Sequence, residues 1–303
     1  MSTTELLVSY IKEMIKLQAE LNMQTNGDRY ISSEPRTTQG KFIYYPICLK
    51  MEACELLDSL PWKHWKYKEN EYNYSNIKLE LIDMLHFTLS LQIDHYARAY
   101  LPKAENPEDQ VKLEDKTAAE YADGVCWLLD NRKKDNTNYA QILVDYIEEN
   151  VNNKLENDYK NLNELGMEPV IGFMFYIDKV MQFTMFDGIQ CIKGLYELIF
   201  TMYGLCIMAE NKTDKPLKLE EFIKEIYNLY KAKLALNKLR QNYGYNAGTY
   251  KKEWKLENKL VEDNEYVVKK LITNRWYVDG VDFYKLIEIE YNKQLELEGP
   301  SLF

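Results

Sequence analysis

Apolar residues recur at intervals of three and four along nearly the whole chain, and no sustained alternation of period two appears anywhere. Helices gather residues at that spacing onto one face, whereas strands would alternate them. Leu6, Leu7, Tyr10, Met14, Leu17 and Leu21 form the first such stripe. A second helix is expected over 45–59, where Leu60 and Pro61 stop it, because proline pushes its predecessor out of the helical region. A third is expected from Asn76, a good N-cap, to Tyr100, just ahead of Pro102. Residues 106–123 are acidic and contain Pro107, which reads as a surface linker into a weaker helix. Further helical patterns cover 139–165, 170–186, 189–209, 217–241, 262–272 and 281–297, with GYNAGTY as the loop that ends the 217–241 stretch. Only 12 Gly and 8 Pro interrupt 303 residues, which suits long helices. The expectation is a single all-α domain.

Two pairs of carboxylates stand on consecutive helices of this series. Glu52 and Glu55 lie in KMEACELLDSL, and Glu80 and Asp83 lie in IKLELIDMLHF. Residues three apart on a helix project about 60° apart around the axis. Met51, Leu56, Leu57, Leu79, Ile82 and Leu85 surround both pairs, so the acids stand near the inward stripe. Two unit charges about 4 Å apart repel by about 4 kcal/mol at an effective dielectric near 20. Four facing carboxylates therefore call for cations. Oxygen donors without cysteine favour Mg²⁺ or Mn²⁺ over zinc. Ions held this way suit phosphoanhydride hydrolysis. Either pair alone reads as ordinary helix-surface charge; two pairs on consecutive apolar helices bring the metal reading level with it, and spacing does not decide between the two.

A basic constellation lies far away in sequence. Lys233, Asn237 and Arg240 fall at i, i+4 and i+7, one continuous helical stripe. Arginine forks onto phosphate oxygens and lysine acts as a point charge. A solvated amphipathic face is the plainer reading. Gln18 and Asn22 are four apart on the first helix and offer amides to a base edge, or are simply polar surface. LPWKHWK sets Trp62 and Trp65 beside Lys63 and Lys66, either a stacking and phosphate-contact turn or a hydrophobic hinge. His86 follows Asp83 by three, and reads more naturally as a core or supporting histidine than as a metal ligand. No second [DE]xxH accompanies it, so the two-ExxH signature of ferritin-like di-iron proteins is missing.

Composition narrows the partners. A formal charge of −10 argues against a general nucleic-acid binder, which needs a basic surface. Five cysteines, odd in number and without CxxC spacing, read as reduced, buried thiols of an intracellular protein, cytoplasmic or nuclear. No stretch approaches the roughly 20 apolar residues of a membrane span. The 170–186 run comes nearest and is broken by Asp178, Lys179 and Gln182.

In their order along the chain, these segments resemble the dimeric all-α dUTPases. The resemblance rests on LQxxLN (Leu17, Gln18, Leu21, Asn22), the run from Glu52 through LLDSLPWKHWK to Lys66, ELxDxxHF (Glu80 to Phe87) and KxxLNxxRQxxGYxxGTY (Lys233 to Tyr250). It implies a MazG-like helical-bundle core with additional helices, in a homodimer. It implies Mg²⁺, two or more ions per site with Mn²⁺ as a substitute, on Glu52, Glu55, Glu80 and Asp83, and Glu55 as the residue that positions or deprotonates the attacking water. Gln18, Asn22 and Trp65 would then embrace uracil, while His86 and Phe87 lie against deoxyribose. Lys66, Lys233, Asn237, Arg240, Tyr245 and Lys252 would hold phosphates, with 217–254 as the closing segment. Substrates would be dUTP and dUDP, and dUTP would yield dUMP and pyrophosphate.

Asn246 stands where many relatives carry a charged residue, which puts one phosphate contact in doubt. Residues 106–165 and the tail beyond 254 match no family motif, and are read as a family-variable insertion and dimer-surface elements. Three rivals stay open: a dCTP or broader deoxynucleotide hydrolase of the same fold, a redox di-metal protein, and a helical regulatory or interaction protein that retains a nucleotide pocket.

Overall fold

A computed structural model describes residues 2–27, 37–59, 74–100, 118–131, 141, 144–145, 178, 182, 194–195, 198–199, 218–274 and 281–297. The chain falls into two compact units, Met1–Lys224 and Glu225–Phe303. The expected helices at 139–165, 170–186 and 189–209 lie almost wholly outside the described residues, as do Trp65 and Lys66.

The first unit is a helical bundle. Helix α1 (Thr3–Asn26) opens with a capping box: Ser2 Oγ accepts from the Glu5 backbone N–H, and the Glu5 carboxylate accepts from the Ser2 N–H. Two otherwise orphaned donors are thereby satisfied. Gly27, at φ 77, ends the helix and returns its N–H to the Met23 carbonyl. Helix α2 (Tyr45–Asp58) carries Pro46 in its first turn, where a missing N–H costs nothing. Helices α3 (Tyr74–Tyr100) and α4 (Ala118–Asn131) complete the unit.

Helix α2 packs on α3, α1 on both α3 and α4, and α4 on α3. Ile11, Ile15, Leu49, Leu56, Leu81, Leu85 and Leu89 are buried between them. Burying each such side chain contributes about 1.5–3 kcal/mol. Helix α3 begins two residues earlier than expected, so Asn76 lies inside its first turn rather than capping it. There its amide donates to Ser59 Oγ at the end of α2.

Helix α5 (Leu219–Asn242) leads into the second unit, followed by a 3₁₀ turn at Tyr245–Ala247. An antiparallel hairpin then forms from β1 (Glu253–Leu256) and β2 (Lys259–Glu262), with Trp254 opposite Val261 and Lys255 opposite Leu260. Helices α6 (Asp263–Asn274) and α7 (Phe283–Glu296) pack on it. Trp254, fully buried, meets Tyr266 edge-on at 5.1 Å and Tyr291 at 5.6 Å, and Tyr291 stacks on Tyr250 at 4.9 Å. Gln294 acts as a short substitute strand, accepting from the Lys255 N–H at 2.6 Å and donating to the Lys255 carbonyl at 3.3 Å. The fold is all-α with one small two-stranded sheet among the described residues.

Candidate active site

In the first unit, α2 and α3 bring three carboxylates together. Oxygens of Glu52, Glu80 and Asp83 all lie within 4.8 Å of one another. Glu80 is 9% exposed and the other two are half-buried. Helix geometry explains the convergence: α2 buries Tyr45, Leu49, Ala53 and Leu56 against α3, and Glu52 sits at the margin of that face. Glu55 is turned about 60° further round and is exposed, outside the group of three. Burial, aided by the Glu52 charge, pushes the Cys48 thiol up. Three carboxylates at this separation fit a hard divalent cation, which takes oxygen ligands and keeps room for water and phosphate.

One turn along α3 from Asp83 begins a buried polar network. His86 Nδ1 is 2.6 Å from Gln18 Oε1. The Gln18 amide nitrogen donates to Asn22 Oδ1 at 2.9 Å and to Ser90 Oγ at 3.0 Å, and the Asn22 amide nitrogen reaches the same hydroxyl at 3.1 Å. All four residues are buried. Gln18 and Asn22 are therefore not polar helix surface. Burial of this much hydrogen-bonding capacity is favourable only with partners in place, so the network fixes how each amide is turned. Phe87 lies beside it, half-buried, with its ring 6.4 Å from that of Tyr45.

In the second unit, Lys233, Asn237 and Arg240 share one face of α5. Lys233 is buried, and its Nζ donates to Asn264 Oδ1 at 2.8 Å. Arg240 forks onto Asp263, and the Tyr245 ring lies 5.6 Å from its guanidinium carbon. Lys252 precedes β1 and pairs with Glu262 at about 3.1 Å between exposed side chains. Such a pair contributes little to stability.

Ser90, Asp263 and Asn264 were not singled out in the sequence. Ser90 falls four residues after His86, on the same face, and that spacing was available. Asp263 and Asn264 meet α5 across more than 20 residues of chain, and no local pattern marks the pairing. Of the cysteines described, Cys126 is buried, Cys48 is half-buried and Cys54 is exposed, so the expected burial holds for Cys126 alone among these three.

An all-α chain that gathers acidic residues from two adjacent helices fits the class of helical nucleotide hydrolases, and the family match supports that class. The particular family follows from comparison with known ones: the dUTPase family, of the all-α dimeric type, matches residues 10–245, and the chain belongs to it. No curated protein matches the chain. Among the described residues, no helix is long and apolar enough to cross a membrane.

Proposed function

We propose that this protein hydrolyses dUTP to dUMP and pyrophosphate, and accepts dUDP, with Mg²⁺ on Glu52, Glu80 and Asp83 and with Glu55 at the edge of the same site. The observation that carries the reading is the convergence of three carboxylate oxygens within 4.8 Å in a chain of this family. Mg²⁺, when bound, neutralises charge developing on phosphoryl oxygens.

The chain's own residues supply the rest. The exposed Glu55 carboxylate orients water and takes its proton. The water oxygen bonds to one of the two phosphorus atoms that flank the α–β bridging oxygen. The bond from that phosphorus to the bridge breaks, so the electron pair stays with the leaving group and the products are dUMP and pyrophosphate. Gln18 and Asn22, set by Ser90 and His86, meet the edge of uracil, and Trp65 stacks on it. Phe87 occupies the space a 2′-hydroxyl would need. Lys66, Lys233, Asn237, Arg240, Tyr245 and Lys252 hold the phosphates. The protein works as a homodimer.

The test is pyrophosphate release from each deoxynucleoside triphosphate by purified protein with Mg²⁺. Turnover is expected with dUTP and is lost on adding EDTA. Release of inorganic phosphate with dUDP left behind, or a preference for dCTP, overturns the reading.

A further inference from the structure

Asp263 opens α6, beyond the segment matched by the family, and has no solvent exposure. A buried carboxylate is tolerated only when its lone pairs are filled. Here Oδ1 accepts from Arg240 Nη2 at 2.6 Å and from the Asn264 backbone N–H at 2.8 Å. Oδ2 accepts from Arg240 Nε at 2.8 Å and from the Tyr250 hydroxyl at 2.9 Å. The N-terminus of α6 adds a dipole that favours the anion. Burial, reinforced by the charge of Asp263, pushes the Tyr250 hydroxyl up, so it stays a donor.

The fork occupies one edge of the guanidinium, Nε and Nη2. A second Nη2 bond, 2.9 Å long, goes to Asn264 Oδ1, the atom that also receives Lys233 Nζ. The Nη1 corner has the longest of these contacts, 3.3 Å to Asn237 Oδ1. Asp263 thus holds Arg240 along its Nε edge by two short bonds. Arginine presents its donors in a rigid plane, so fixing one edge fixes where the other points.

We propose that Asp263 is a positioning residue for phosphate recognition: its carboxylate locks the Nε edge of Arg240, so that the Nη1 corner is aimed at a phosphoryl oxygen of the nucleotide. This rests on the reading of Arg240 as a phosphate ligand. It gives the hairpin and α6 a role, because β2 ends one residue before Asp263 and the Asp263 N–H is tied to the Lys252 carbonyl at 2.9 Å. Prior orientation matters because small misplacements of a charged group forfeit much of its effect on rate.

The experiment is a double-mutant cycle on the full chain: wild type, Asp263→Asn, Arg240→Ala and the double variant. Each is read for kcat/KM with dUTP and for binding of inorganic tripolyphosphate. Asp263→Asn should lower kcat/KM by about 10²-fold in the wild-type background, the scale set by misaligned catalytic groups. In the Arg240→Ala background it should change neither readout by more than about twofold, since residues acting as one unit do not add. Equal losses in both backgrounds overturn the proposal, because Asp263 would then act on folding alone. Tighter tripolyphosphate binding by Asp263→Asn also overturns it, making the carboxylate a competitor of phosphate.

If Asp263→Asn does not fold, Tyr250→Phe removes a single donor to the same carboxylate. It should give a smaller loss that vanishes in the Arg240→Ala background, and additive losses again overturn the proposal. Wild type that binds tripolyphosphate but leaves dUTP intact would remove the proposed substrate while the binding cycle still decides the role of Asp263. Wild type that binds no tripolyphosphate would remove the role of Asp263 itself.

Discussion

Glu52 and Glu55 are chemically alike and three residues apart, yet α2 places them in different surroundings: one joins Glu80 and Asp83, the other is exposed. Their roles should separate accordingly. Glu52→Gln is expected to raise the Mg²⁺ concentration needed for half-maximal rate, with activity recovered at high Mg²⁺. Glu55→Gln keeps its size and one acceptor but cannot take a proton. It should bind Mg²⁺ and dUTP yet lose on the order of 10²–10⁴-fold in kcat, the usual scale of general-base assistance. Titrating Mg²⁺ against rate for both variants decides it. Full rescue of Glu55→Gln by excess Mg²⁺, with Glu52→Gln refractory, would reverse the assignment. The i, i+3 spacing marked both acids in the sequence but not their difference, because which of two side chains 60° apart faces inward depends on where α3 packs. Gln18, Asn22 and His86 were legible as polar residues on apolar helices. Their linkage through Ser90 was not, since a serine on a helix is unremarkable until the partner helix is known.

Element by element, long periodic segments were the legible part of the fold. Helix α1 and helices α5 to α7 fall within a few residues of the periodic stretches, because each has an apolar face to bury and a clear stop. The hairpin at Glu253–Glu262 was not legible. Four-residue strands are too short to establish an alternation, and its turn holds Glu257 at φ 56, a conformation for which sequence would suggest glycine. The turn after α5 is the opposite case. Gly244 sits at φ 80, and a Cβ there would lie 2.1 Å from Thr249 Oγ1, the hydroxyl that bonds the Tyr243 and Gly244 carbonyls. Gly244→Ala should therefore combine a left-handed backbone with a steric conflict, and destabilise by about 1–3 kcal/mol. Urea unfolding of the variant beside wild type measures this. A change below about 0.5 kcal/mol, the range of neutral surface substitutions, would mean that the turn relaxes freely.

At the scale of the whole molecule, one exposed apolar surface among the described residues is the outer face of α2 in the first unit. Tyr44, at the N-cap, with Ile47 and Met51 forms a stripe at helical spacing, each about half exposed, and Phe42 lies 5.8 Å from Tyr44 ring to ring. Four large apolar side chains in one patch exceed the scattered exposure expected of a monomer, and an isologous interface would cover them. A stable dimer buries roughly 800 Å² per partner, more than these side chains provide, so they would form its centre rather than its whole extent. Glu55 borders the stripe on the side of Glu52, so the covered area must extend along Ile47 and away from the acids if both are to function. Sedimentation at micromolar concentration should give a species of twice the 36.0 kDa chain mass. Ile47→Glu should shift it toward monomer, because an unpaired carboxylate would be buried twice across the two-fold axis. The substitution lies on solvent in the isolated chain, so thermal stability extrapolated to low concentration should change little. A wild-type species of 36.0 kDa would remove the dimer, and a dimer indifferent to both Ile47→Glu and Met51→Glu would place its interface elsewhere.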